Sequence, residues 1–498
     1  MEASYQQDSP QQHEEQRQFK VMPIVISLML GGFIGMFSET ALNIALTDLM
    51  KELNVGPTTI QWLTTAYLLV LGILVPVSGL LLQWFTTRQL FIASLSFSTL
   101  GSLIAGLAPN FEVLLAARVF QAVGTALLLP LLFNTILVIF PPAKRGAAMG
   151  MMGLVIMFAP AIGPTIAGLL IEKLSWHWIF WISSAVLLIS LLFGIIFLQN
   201  VSRITRPKID FLSILLSSIG FGGIVFGFSK AGEAAGWGSN MVIASLVIGS
   251  LSLFLFCWRQ LKMETPVMNL RAFRYPMFTL AVIMLFVVMM VLLSSMLVLP
   301  MFLQQGLGKS ALAAGLLLLP GGIINGLLSP IMGKLFDKYG PRWLVIPGLI
   351  VIAAILYLMS GITVASSATF IIVMHSLLMI GISMVMMPAQ TNGLNQLPPE
   401  FYPDGTAIMS TLQQVAGAIG TALAVSILSA GQKGYLMDQG FDVSQGLEPY
   451  LSNPSFLQHL PQSFATGVSH AFIFAVSMAL LAFLCSLFIK RVKVSKPL

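Results

Sequence analysis

Glu39 and Arg118 stand deep inside long apolar runs, and they are the two permanently charged residues expected at that depth in this chain. A charge near the centre of a bilayer is costly unless it is paired or hydrated, so both need a reason to be there. Burial disfavours the charged form of a carboxyl group, whereas a nearby cation favours it. Glu39 therefore reads as a proton site at which a proton and a solute could exchange, and its anionic form would attract cationic solutes. Arg118 has five donors in a fixed fork and could tune that site or pass coupling through a hydrogen-bond network. Gln121, three residues on along the same helical face, could join the network. At about 1.5 Å per residue, Glu39 lies about 13 Å below Asp48 and Arg118 about 9 Å below Glu112. The two can therefore approach each other in the outer half. The plainer readings are a neutral glutamate bonded between helices and a static arginine tether. His375, alone in an apolar run, reads as a structural histidine rather than a switch near neutral pH.

A second group of residues could line a path for small molecules. Asn43, Trp62, Tyr67, Asn134, Asn325, Gln390, Asn392, Gln413 and Gln414 are polar or aromatic residues within or beside apolar runs, and with Glu39 they form the candidate substrate lining. The 28 Met and 34 Phe offer deformable apolar surface that suits varied ligands, although most of them must pack helices or face lipid. Other chemistry is not indicated. There is no GxxxxGK[ST] loop for nucleotide drive, no HExxH and no catalytic carboxylate pair. Cys257 and Cys485 both fall in apolar runs, which leaves neither a disulfide framework nor a thiolate metal site. No catalytic residue, metal or cofactor is expected beyond protons as the coupling ion.

The elements that position these residues follow from composition. The 498 residues are 57% hydrophobic and only 9% charged, with a mean hydropathy of +0.92. Soluble domains carry about 25% charged residues, so a soluble enzyme is excluded. Apolar runs of membrane-spanning length fall near 22–47, 58–82, 89–108, 112–139, 147–171, 178–199, 211–229, 241–261, 277–303, 311–334, 343–362, 368–394, 405–430 and 466–489, an all-α integral membrane protein of fourteen spans. With the N-terminus in the cytoplasm, 19 of the 25 Lys and Arg fall on that side and five, Lys51, Lys173, Lys230, Lys309 and Lys433, fall outside. This is the positive-inside pattern, and an even count returns the C-terminus to the cytoplasm. The net charge of +7 then reflects orientation, and nucleic acid is not an expected partner. Residues 1–20, polar and Gln-rich, read as a disordered cytoplasmic tail rather than a signal peptide.

The fourteen spans divide by an internal repeat. Gly79 to Arg88 ends span 2 and Gly333 to Arg342 ends span 10, with Gly, Leu and Arg at the same offsets. Pro130 and Asn134 in span 4 are spaced like Pro388 and Asn392 in span 12, and each of these spans ends in a double proline. The match requires two six-helix bundles, 21–200 and 276–490, separated by two inserted helices and a linker over 201–275, with a short tail at 491–498. Repeated bundles of this kind suggest a transporter whose site lies near the midplane between the halves and opens alternately to each side.

These motifs resemble the major facilitator superfamily. Gly333 to Arg342 is similar to its cytoplasmic loop signature, Leu115 to Gly124 to its span 4 signature, and Ala159 to Gly168 to the span 5 signature of its antiporters. With fourteen spans, Trp176 to Ile182 before span 6, and Gln61, Trp62 and Tyr67 in span 2, the chain resembles the EmrB/QacA-type drug:proton antiporters. The resemblance implies the 6+2+6 major facilitator fold. It implies that Pro160, Gly163, Pro164 and Gly168 set antiport direction and seal the cytoplasmic side. It further implies a conformational latch at Gly79, Arg88, Gly333, Asp337, Lys338, Gly340 and Arg342. The chain departs from the pattern at Gln83 and Thr86, where an aspartate and a glycine are usual, and at Ala159 and Ala167, where glycines are usual. Where relatives often carry an aspartate followed by Thr in span 1, it has Glu39 and Thr40.

The expectation is a proton-driven exporter of amphipathic or cationic small molecules and antibiotics, a monomer spanning a bacterial plasma membrane. The alternative is an exporter of a physiological lipid, metabolite or signalling molecule with incidental drug efflux. The segment from Met263 to Tyr275, amphipathic and basic, is expected to lie along the cytoplasmic membrane surface. Residues 432–465 are expected to form a solvated outer loop.

Overall fold

Inside a bilayer a backbone must satisfy its own polar groups, so each long apolar run is driven to close its hydrogen bonds locally as a helix. The computed structural model describes residues 21–201, 204–231, 236–443, 450 and 452–492, apart from the side chains of residues 39, 43, 44, 47, 57, 58, 164 and 311. The tail expected at 1–20, and the part of the second tail beyond 492, lie outside the described residues. Among those residues, fourteen helices are long and apolar enough to cross a membrane, and there is no strand.

The first six helices are α1 (Val21–Glu52), α2 (Trp62–Trp84), α3 (Thr87–Gly106), α4 (Phe111–Ile139), α5 (Arg145–Lys173) and α6 (His177–Phe197). The inserted pair is α7 (Phe211–Ala231) and α8 (Asn240–Lys262). The last six are α9 (Pro276–Met301), α10 (Ala311–Tyr339), α11 (Arg342–Met359), α12 (Ala368–Asn395), α13 (Tyr402–Asp438) and α14 (Pro454–Ser486). Their ends carry expected signals: Asn110 accepts from Val113 N–H to start α4, Ser310 and Ser367 do the same for α10 and α12, and Asn453 with Pro454 starts α14.

Within the first bundle α1 packs on α5 and α6, α2 on α4, and α3 on α4 and α6. The second bundle mirrors this, with α9 on α13 and α14, α10 on α12, and α11 on α12 and α14. The halves meet along α5 with α10 and along α2 with α13, while α4 also reaches α13. Of the inserted pair, α7 lies against α2 and touches α13. Its partner α8 turns Ile243, Val247, Leu251, Phe254 and Trp258 outward, an apolar face suited to lipid. Lys144, Arg145, Lys334, Arg342 and Lys490 gather where α5, α10, α11 and α14 begin or end, and this side is called the basic end below.

Three segments differ from the sequence expectation. Much of the 432–465 stretch is helical: α13 continues to Asp438 and α14 begins at Pro454. Leu436, Val443 and Phe456 are fully buried together, with Phe441 and Tyr450 packed edge-on, so a small apolar cluster holds both helices beyond the membrane-spanning part. The 263–275 linker does not simply rest on a surface. Val267, Met268 and Ala272 are buried, Gln260 accepts from the Val267 and Met268 N–H groups, and Asp404 accepts from Asn269 N–H at 2.9 Å. Lys230, counted among the outer charges, sits within α7 and is 6% exposed. Its long apolar stem lets it pack against a neighbouring helix, which hydropathy alone does not reveal.

Candidate functional site

Arg118 on α4 is fully buried. Its Nη1 donates to Gln121 Oε1 at 2.8 Å and to the Ser38 carbonyl of α1 at 3.2 Å, and its Nε points to the Leu63 carbonyl of α2 at 3.5 Å. The guanidinium also lies over the Tyr67 ring, 4.2 Å from its centroid, a cation–π arrangement. Gln121 passes the chain on by donating to Ser102 Oγ of α3 at 2.8 Å. Tyr67 donates to Thr125 Oγ1 at 3.0 Å, and Thr125 donates to the Gln121 carbonyl. The guanidinium therefore joins α4 to α1 and α2, and Gln121 extends the network to α3.

The Glu39 side chain lies outside the described residues, but both its neighbours in α1 are held. Ser38 accepts the Arg118 bond, and Thr40 is met by Gly163 of α5, where a Cβ would strike Thr40 Oγ1. The absence of a side chain at Gly163 thus lets α5 come close to the turn that carries Glu39. On its other side α5 brings Ala161 against Gly322 of α10, and Gly168 near Leu312. The span 5 motif is therefore sandwiched between α1 and the opposite half. Pro160 is part-buried within this stretch, and the Pro164 side chain lies outside the described residues.

The expected latch residues separate into two groups. Asp337, near the end of α10, accepts the N–H groups of Gly146 and Ala147 at 2.9 Å each. These are among the first N–H groups of α5, which lack intrahelical partners, so a carboxylate from one half caps a helix of the other. The contact is close: Gly146 and Gly333 face each other so tightly that a Cβ on either would meet the other's backbone. Gly340 ends α10 with φ +83°, a left-handed conformation that favours glycine, and Arg491 packs over it while donating to the Asp337 and Lys338 carbonyls. Gly79 of α2 lies against Pro403 and Ala407 of α13, again across the halves.

Among the described residues, Arg88, Lys338 and Arg342 make no contact that bridges the halves. Arg88 donates to the Ile195 carbonyl at 2.6 Å and stays within the first bundle, because α3 begins beside the end of α6. Lys338 lies over the Tyr339 ring, and Arg342 is exposed at the start of α11. Gln83 accepts from Thr205 and Arg206 on the segment before α7.

A family model described as Major Facilitator Superfamily matches residues 28–421. The chain belongs to this superfamily. It is 66% identical over 479 residues to the lincomycin resistance protein LmrB of Bacillus subtilis, covering 96% of this chain and 98% of that one. It is 59% identical over 477 residues to the protein of the same name from Listeria monocytogenes, with 96% and 98% covered. Among solved structures, the human organic anion transporter MFSD10 superposes with a TM-score of 0.66 at 13% identity, over 94% of this chain and 100% of that one, a likeness of fold. The chain is thus a multi-pass membrane transporter, not an enzyme.

In this major facilitator protein the expected lining residues do not form one surface. Asn134, Gln390 and Gln413 carry buried polar atoms that take no hydrogen bond among the described residues, on α4, α12 and α13, helices that each touch the opposite half. Gln414 is part-buried on α13, and Tyr67 belongs to the Arg118 network. Asn325 is buried beside Met379 and Ser329, joining α10 to α12. Asn392 is not at the midplane: it donates to the Lys490 carbonyl at 3.0 Å and accepts from Val492 N–H, because α12 reaches the basic end there. Trp62 packs its ring on Phe226 of the inserted helix instead of facing the seam. The Asn43 side chain lies outside the described residues. His375 is buried against Gly321, and its Nδ1 takes no hydrogen bond among the described residues.

Sequence reading missed Arg145. Its guanidinium donates to Asn395 Oδ1 across the halves at 3.0 Å, to the Phe140 and Leu137 carbonyls, and lies over the Tyr402 ring. The sequence signal for it is only its place at the start of span 5, where a basic residue counts toward orientation.

Proposed function

We propose that the chain is a proton-coupled exporter of amphipathic, chiefly cationic small molecules, lincomycin among them. It would act as a monomer in a bacterial plasma membrane, with both termini and the basic end in the cytoplasm. The observation that carries this reading is the bond from Arg118 to the Ser38 carbonyl, which fixes a buried cation beside the α1 turn that holds Glu39. A carboxyl group there is stabilised as an anion by the guanidinium and penalised by burial, so its protonation responds to whether a cationic solute is present.

In this reading Glu39 takes a proton from outside while the solute leaves, then releases it inward after the halves rock. Proton entry supplies about 2.3 kcal/mol per charge for each 100 mV of membrane potential. Asp337, Arg145 and the Gly146–Gly333 contact close the cytoplasmic end in one state and part in the other. Asn134, Gln390 and Gln413 supply buried polar atoms for the solute or its water. The drug assignment draws on the names of the Bacillus and Listeria relatives.

The test is uptake of radiolabelled lincomycin into inverted vesicles containing the protein. An imposed inside-acid pH gradient should drive accumulation, and a protonophore should abolish it. Accumulation indifferent to the protonophore would remove the proton from the account.

A further inference from the structure

Lys230 is a buried cation on an inserted helix whose partner faces lipid. Its Nζ lies over the Trp62 ring, 5.1 Å from the centroid, and Phe226, one turn earlier on the same face of α7, packs on that ring at 5.9 Å. Trp62 is the first residue of α2. A short helical turn, Pro57–Ile60, leads into it through Gln61, whose carbonyl accepts from the Thr64 and Thr65 N–H groups but whose side chain gives no cap, so side-chain packing adds to what the backbone fixes here. The next residue, Leu63, offers its carbonyl to Arg118, and Tyr67 in the following turn lies under the Arg118 guanidinium. Two cations therefore grip the same stretch of α2, Arg118 from α4 and Lys230 from the insert.

A leucine or methionine in this place would cover Trp62 by packing alone. The ammonium adds a directional attraction to the indole face. Lower down, the contact of Gly72 with Val225 and of Gly222 with Ile73 keeps α7 close against α2, so the lysine is held in register.

We propose that Lys230 is a positioning residue of the coupling network: with Phe226 it clamps Trp62 and thereby sets the α2 turn that presents Leu63 and Tyr67 to Arg118. The inserted pair is then part of the coupling machinery as well as a lipid-facing addition. The functional half of this proposal rests on the proton-coupled reading above; the positioning half does not.

The test compares the parent protein, K230M and K230R in lipid nanodiscs by amide hydrogen exchange over residues 64–69, and in inverted vesicles by the pH profile of ethidium transport. K230M should raise exchange in this stretch about tenfold, the loss expected for a desolvated cation–π contact, and shift the pH profile. K230R, which keeps a cation over the ring, should restore both. Unchanged exchange and profile in K230M would overturn the proposal, as would K230R behaving like K230M. If the parent shows no proton-coupled ethidium transport, the functional reading fails, and the exchange comparison still decides the clamp. Should K230M not fold, W62F is the second variant: raised exchange supports the clamp and unchanged exchange overturns it.

Discussion

Arg118 Nη1 lies 3.2 Å from the carbonyl oxygen of Ser38, the residue immediately before Glu39. The same guanidinium holds Gln121 and stacks on Tyr67, so its planar fork meets several partners at once. A lysine cannot. Arg118→Lys is expected to lower lincomycin efflux at least tenfold, because an ammonium placed for one partner leaves the others unmet. Arg118→Ala should in addition destabilise the fold by about 3 kcal/mol, as buried acceptors lose their donor. Efflux rates and thermal unfolding in detergent check the pair; near-normal efflux in Arg118→Lys would reduce the residue to a point charge.

Asp337 caps α5 from the other half. Asp337→Asn removes the charge and one of two equivalent acceptors, a change worth about 1 kcal/mol and about a fivefold shift toward an open basic end. Spin labels at Lys144 and Lys334, both exposed there, should show a larger long-distance population in the variant after the native cysteines are replaced. An unchanged distance distribution would mean the cap does not bias the conformation.

Gly333 meets the backbone of Gly146. Since the obstacle is main chain and cannot rotate aside, Gly333→Ala should hold the halves apart at the basic end and reduce efflux at least tenfold. The membrane yield should stay near normal, because each bundle keeps its own core. Normal efflux would show that the contact has slack.

Helical spacing specifies which segments span and which residues are buried in them, but not which neighbour each side chain meets. Fourteen apolar runs and the Gly333 to Arg342 segment at the end of span 10 depend on local order along the chain, and the structure has fourteen such helices among the described residues, with Gly340 ending α10. The neighbour a side chain meets depends on how a third helix is rotated, which spacing does not report. Trp62 could face the seam or α7 equally well from its position in α2, and it took Phe226 and Lys230. Asn392 matches Asn134 in spacing from a proline, yet α12 carries it to Lys490 while the Asn134 Oδ1 is buried with no hydrogen bond among the described residues. Arg145 looked like an orientation charge because its partners, Asn395 and Tyr402, are some 250 residues away in the chain.

At the basic end, Asp210 accepts from Arg259 Nε at 2.7 Å and from Ser213. The Arg259 hydrogen bond is the main cause that holds its carboxyl below the ordinary carboxylate value, against the opposing effect of burial. Because the folded pKa is depressed, the pair contributes stability above the unfolded value and loses it as pH falls through the folded one. Thermal unfolding between neutral and strongly acid pH should show this loss in the parent, and a smaller one in Asp210→Asn. The pair is partly exposed, so the difference should be modest and should shrink in high salt. Identical profiles in parent and variant would contradict the assignment.

The most direct test of proton coupling is dye-reported collapse of the pH gradient in inverted vesicles when lincomycin is added, comparing the parent with Glu39→Gln. The account predicts collapse with the parent and none with Glu39→Gln at equal membrane amounts. Equal collapse with both proteins would contradict a proton-carrying role for Glu39.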